Sequence, residues 1–165
     1  MTNLLVFIVA DTVLALPLDV IREILPLPLL SRPPQVPSLL AGFFNLRGQA
    51  TPVLRLDLLL GLAGRGAVVY APLLLLKARA MGTEARPMAL LVDEVRGIKA
   101  VTAGAMLPVS ESDSLNGCVL AELADALPPT HVLSLESLLL ERERQCISEH
   151  QSWAERRLAE LGEAE

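Results

Sequence analysis

The chain has 165 residues and a mass of 17.7 kDa, the size of one ordinary domain or two very small ones sharing a core, which excludes a large multidomain enzyme. Hydrophobic residues make up 52% of it but aromatic residues only 3%, so the apolar mass is aliphatic and the platforms that stack bases or sugars are scarce. A formal charge of -5 and a pI near 5.1 leave no basic footprint for phosphate contacts, which argues against DNA or RNA as a partner.

A mean hydropathy of +0.48 raises the question of a membrane span, which takes about 20 consecutive apolar residues. The stretch Gly66 to Leu76 is too short, and Pro33 to Leu46 is broken by Pro34 and Pro37. The N-terminus lacks a positive n-region, and Asp11 interrupts the apolar run where a signal peptide would continue. A cytoplasmic protein without membrane insertion is expected. Cys118 and Cys146 stand far apart with no CxxC and no paired histidines, which suggests neither a disulfide framework nor a metal site.

In chain order, two apolar runs, Leu4 to Val9 and Val13 to Leu18, flank Asp11 and Thr12 and predict a strand hairpin. In Asp19 to Leu25 the residues Val20, Ile21, Ile24 and Leu25 recur at helical spacing before Pro26, which predicts a short helix over 19–25. Pro26 to Pro37 is too rich in proline to be a helix interior or a central strand and reads as an extended connection. Gly42 to Leu46 and Gln49 to Leu56 predict two strands joined tightly around Arg47 and Gly48. In the second of these, Leu54 and Leu56 share one face while Thr51, Val53 and Arg55 share the other.

A Leu-rich turn ends at Gly61, and Ala63 to Gly66 is the candidate subdomain junction, placed near 61–66. Strands are expected over Ala67 to Leu76 and Met88 to Val95, then a bulge at Gly97 before Ile98 to Val101. A solvated loop, Val109 to Ser114, precedes two short strands within Gly117 to Leu123 and His131 to Leu135. Many short strands with turn chemistry between them predict an all-β protein, and two small barrels would fit. The last 25 residues hold seven acids and four arginines. Leu139, Cys146, Ile147, Trp153, Ala154, Leu158 and Leu161 form an apolar stripe there, which predicts a C-terminal helix over 141–165.

Catalytic chemistry requires a constellation, and none is legible. A histidine-based triad would rest on His131 alone, since His150 lies in the charged tail. The glycines of GLAGRG lack the Lys-Ser/Thr step of a phosphate loop. Asp93 and Glu94 are adjacent on a strand, so they point to opposite faces and read as edge charges. No catalytic residue, no metal and no cofactor is expected, and a small enzyme using His131 or Cys118 is the competing reading.

One segment is distinctive. GFFNLRGQATPVLRL, Gly42 to Leu56, sets a polar, cationic tip of Asn45, Leu46, Arg47 and Gly48 between apolar strands and presents the Arg47 side chain outward. It resembles the signature of the CheW family, the adaptor domain of bacterial chemotaxis arrays, in which a Gly precedes Asn-Leu-Arg-Gly and a Pro-Val-x-Asp-Leu strand follows. Three further matches come in the family's order. Leu4 to Leu25 is similar to its opening hairpin and Val-x-Glu-Val helix, with Ile21, Glu23 and Ile24 in place. MALLVDEV, Met88 to Val95, resembles its Gly-Leu-Leu-Val-Asp-x-Val strand, and HVLSLESLL, His131 to Leu139, its closing strand. Arg55 stands where the family has Asp, Ser134 at the Asp of the closing strand and Ala89 at a Gly.

The resemblance implies two five-stranded β-barrels side by side over 1–140, with the helical extension 141–165 beyond them. The implied function is that of a non-catalytic adaptor coupling a chemoreceptor cytoplasmic tip to the regulatory domain of a CheA-type histidine kinase. Ile21, Glu23, Asn45, Leu46, Arg47, Gly48, Arg55 and Asp93 are then protein-binding residues. Arg55, a charge reversal, would select a different partner, which leaves a second reading. In it the chain is a CheW-like subunit of a non-flagellar pathway such as twitching motility, methyltransferase control or cyclic-di-GMP control. Trp153 is the expected anchor through which the C-terminal helix meets a second partner or a second copy of the chain.

Overall fold

The computed structural model describes residues 1–63, 71–77, 87–109, 115–124, 126 and 128–163. Strands β1 (Thr2–Val9) and β2 (Thr12–Pro17) form the expected opening hairpin. Its two-residue tip puts Ala10 at φ 49° and Asp11 at φ 65°, the paired left-handed conformation whose twist matches that of the flanking strands. The chain then makes a 3-10 turn at Leu18–Val20 and continues as strand β3 (Ile21–Leu25), so the helix expected over 19–25 is not formed. The reason lies in the register. β3 pairs with β6 (Leu73–Leu76), and the pairing steps from Ile21↔Leu76 to Glu23↔Leu75, leaving Arg22 as an extra residue. An irregularity of this kind breaks the strand period of two, and the apolar residues on either side acquire a spacing that mimics a helix.

Strands β4 (Leu40–Leu46) and β5 (Gln49–Arg55) form the second hairpin, and the short helix α1 (Leu56–Leu59) follows directly. β7 (Ala89–Leu91) and β8 (Glu94–Val101) divide what the sequence presents as one strand, because the chain passes between sheets at Val92 and Asp93. The expected bulge is present: Val6 pairs with Gly97 and Phe7 with Val95, so Arg96 is the additional residue. β9 (Met106–Leu107), β10 (Val119–Leu123) and β11 (Thr130–Leu133) complete the strands, and helix α2 spans Leu135–Glu163. Residues 64–66 of the candidate junction near 61–66, the first residues of the Ala67 to Leu76 run and the loop residues 110–114 lie outside the described residues.

In place of two five-stranded barrels there are two open sheets. One has the order β8-β1-β2-β11-β10-β9 and the other β3-β6-β7-β5-β4. Each is curled around apolar side chains of its own. Val101 on one edge strand of the six-stranded sheet and Met106 on the other belong to one cluster with Leu4, Ala15 and Val132. Leu25 and Phe44, on opposite edge strands of the five-stranded sheet, share a cluster with Val53, Leu73 and Leu75. Between the sheets lies a larger core of Leu5, Phe7, Leu14, Leu16, Leu54, Leu74, Leu76, Leu90 and Leu133, closed by Leu56, Leu59, Leu135 and Leu138 from the helices. Both faces of the strands are therefore buried, which is why Leu73–Leu76 is an unbroken apolar run rather than an alternating one.

Helix α2 begins inside this core, six residues before the expected boundary at Glu141. Ser134 caps it: its Oγ accepts the Ser137 N–H at 3.3 Å and its carbonyl accepts the Leu138 N–H at 3.0 Å. Serine and aspartate both serve at this position, so the departure at Ser134 preserves the cap. Further along, the Gln145 amide donates to the Leu59 carbonyl at 3.1 Å, and Ser38 donates its N–H and Oγ–H to the Glu149 carboxylate at 2.9 and 2.8 Å. Past Glu149 the helix is largely exposed, Leu158 included.

Candidate protein-binding site

The tip of the β4–β5 hairpin is built by its own sequence. Arg47 at φ 50° and Gly48 at φ 87° form a two-residue left-handed turn, and the Asn45 Oδ1 accepts the Gly48 N–H at 2.7 Å. Asn45 and Gly48 thus hold the turn, leaving the exposed Arg47 guanidinium with no hydrogen bond or ion pair among the described residues. Leu46 is half-buried and packs on the cluster inside the five-stranded sheet. Beside the tip, the extended connection lies along β4 as a short extra strand: Ser31 and Phe43 exchange N–H···O bonds of 2.8 and 2.7 Å. Gly42 makes this approach possible by having no side chain. The result is a shallow apolar groove between the connection and the hairpin, lined by Ser31 and Pro33 and by Phe43, Phe44, Asn45, Gly48 and Ala50.

Sequence reasoning reached the tip but not the groove wall. Phe43 and Phe44 carried a signal, since they are two of the chain's three phenylalanines and adjoin Asn45. Ser31 and Pro33 carried none, because their place depends on a pairing across an irregular connection.

The other expected residues fall elsewhere. Ile21 is buried in the inter-sheet core, and Glu23 is exposed on β3, at the opposite edge of the sheet from β4. Asp93 faces its own molecule: its Oδ2 accepts the Ala10 N–H at 2.8 Å while its N–H donates to the Ile8 carbonyl at 2.9 Å, which ties the crossing between sheets to the first hairpin. The Arg55 guanidinium makes two hydrogen bonds to Asp57, at 2.8 and 3.3 Å, over the start of α1. Its charge is matched two residues along, so the reversal from aspartate is compensated within the chain. Trp153 is half-buried on α2, 5.9 Å from the His150 ring, and lines a groove with Gln35 from the extended connection. That connection therefore forms part of both grooves, Ser31 and Pro33 on one and Gln35 on the other.

Nucleophilic chemistry has little to work with. Burial, reinforced by the Glu141 carboxylate, pushes the Cys118 thiol up to about 11, so it stays protonated at neutral pH. Burial also raises Cys146. The buried His131 Nδ1 has no hydrogen-bond partner and hence no group to orient it. Among the described residues no cluster of three or more His, Cys, Asp or Glu could hold a metal, and no helix is long and apolar enough to cross a membrane.

The profile of the CheW-like domain matches residues 3–140. No curated protein matches the chain. Among solved structures it is similar to the crystal structure of the scaffolding protein TtCheW from Thermoanaerobacter tengcongensis, at a TM-score of 0.73 and 19% identity, over 83% of this chain and 86% of that one. Because the profile match takes in residues 3–140 of the 165, the chain belongs to the CheW-like domain family.

Proposed function

We propose that the chain is a non-catalytic adaptor that couples chemoreceptors to a CheA-type histidine kinase, and that the β4–β5 tip and its groove are one of its docking surfaces. The observation that carries this is the unpaired Arg47 guanidinium on a turn held rigid by Asn45 and Gly48, beside an apolar groove. A cation carried on a fixed turn next to exposed apolar surface offers a partner charge-assisted hydrogen bonds and desolvation together. The turn already constrains the backbone, so the ordering cost left on binding is that of the Arg47 side chain.

The test is Arg47→Asn, because asparagine tolerates the left-handed conformation and the turn survives. The variant should melt within about two degrees of the parent while its binding to the kinase regulatory domain or the receptor tip weakens about tenfold or more. Unchanged binding to both would remove the tip from the interface.

A second reading places the chain in a non-flagellar chemosensory pathway. It is favoured by the length of α2 beyond residue 140, where the CheW-like match ends. Copurification from the native cell separates the two readings by the receptor and kinase recovered.

A further inference from the structure

Helix α2 is apolar on two opposite faces. The inner one, through Leu135, Leu138 and Cys146, packs on the core, and Gln145 and Glu149 beside it are hydrogen-bonded to the body. On the outer one stand Leu140, Ile147, Leu158 and Leu161, with 61, 59, 68 and 66% of their surface exposed, and the exposed Ala154 lies between them. Leu140, Ile147, Ala154 and Leu161 follow each other at intervals of seven. That is the spacing of a seam which stays turned toward another helix, since a seven-residue repeat supercoils around its partner.

In heptad terms these four residues occupy d, and Arg144, Gln151 and Leu158 occupy a. Glu143, His150 and Arg157, all exposed, line one flank at g. A parallel pair of such helices would set Arg144 against Arg144 in the seam. An antiparallel pair sets each a opposite a d: Leu158 meets Leu140 of the second copy, Gln151 meets Ile147, and Arg144 meets Ala154. The aliphatic stem of Arg144 then covers a small residue while its guanidinium remains on Glu141 of its own chain. On the flank, the same arrangement brings Glu143 to Arg157 twice, once on each side of a two-fold axis. Along this flank the charges run from acid to base, an order complementary to itself only when reversed, while on the other flank Glu155 meets a Glu141 whose charge is already held by Arg144.

We infer that a second copy of this chain covers the outer face of α2, the two helices pairing antiparallel about a two-fold axis near the middle of the stripe. This rests on α2 alone and is independent of the adaptor reading. The experiment is sedimentation of the full chain at tens of micromolar. The expected mass is twice 17.7 kDa. Leu158→Glu and Ile147→Glu, both on the outer face, should each return a folded monomer, whose melting temperature falls only by what association adds to the parent at that concentration. Glu143→Arg and Arg157→Glu should each weaken the dimer several-fold, and the two together should restore it, because the swapped charges again face each other. A parent chain that is monomeric at these concentrations overturns the inference, as does a dimer indifferent to Leu158→Glu. A double charge swap that fails to restore the dimer overturns the antiparallel register.

Discussion

A Cβ added to Gly42 would sit 2.9 Å from the Ser31 carbonyl oxygen and 3.0 Å from the Leu30 Cβ, and the residue's φ of 153° already strains any other side chain. The close approach of the connection to β4 is what makes the groove. Gly42→Ala should therefore cost about 1–3 kcal/mol, read as a drop of several degrees in melting temperature, and should open the groove as the connection shifts. Glu141 makes a different kind of contribution. Its carboxylate is buried, bonded to the Arg144 guanidinium at 2.9 Å and to the Gln145 amide at 2.8 Å, and the Arg144 hydrogen bond holds its pKa below the usual carboxylate range. A group whose folded pKa is depressed adds stability above its unfolded pKa and loses it as pH falls through the folded one. The parent should thus exceed Glu141→Gln in urea midpoint at neutral pH. The difference should close on acidification below the ordinary glutamate range, and a difference independent of pH would assign the effect to packing.

At the scale of elements, both hairpins were legible because two-residue turns announce themselves in sequence, and Arg47-Gly48 between apolar runs is such a signal. The bulge beside Gly97 was legible because a lone glycine inside a strand run marks one. β3 was not, since the extra residue at Arg22 gave Ile21, Ile24 and Leu25 a helical phase. Nor was the start of α2 or its division of labour. The stripe read from sequence merged Cys146 and Trp153 on the inner side with Ile147, Leu158 and Leu161 on the outer, because a helix apolar on two faces has no single hydrophobic direction. The structure divides α2 near Glu149. A chain ending at Glu149 keeps the bonds from Gln145 to Leu59 and from Ser38 to Glu149 and should match the parent in urea midpoint at concentrations too low for association. A chain ending at Leu140 loses both, together with Glu141 and the packing of Cys146 on the core, and should be clearly less stable. Equal midpoints for the two shortened chains would make all of residues 141–163 an appendage.

For the whole molecule, the question is whether the two sheets are separable units. Each has a small apolar cluster of its own, yet the largest cluster lies between them and draws on β1, β2, β5, β6, β7 and β11 as well as both helices. Neither sheet could expose that surface alone without leaving Leu14, Leu54, Leu74 and Leu90 in water, at about 1.5–3 kcal/mol for each side chain. The chain also crosses from one sheet to the other at Val92 and Asp93, where the Asp93 carboxylate holds the Ala10 N–H and the Val92 N–H donates to the Pro72 carbonyl at 3.2 Å. Shared burial on this scale couples the halves, so heating should give one transition, with calorimetric and van't Hoff enthalpies in agreement. Leu90→Ala, in the shared core, should lower that single transition by about 2–5 kcal/mol of stability. It should also raise hydrogen exchange at the slowest amides of both sheets together. Two resolved transitions, or faster exchange confined to β3–β7, would instead make each sheet a folding unit in its own right.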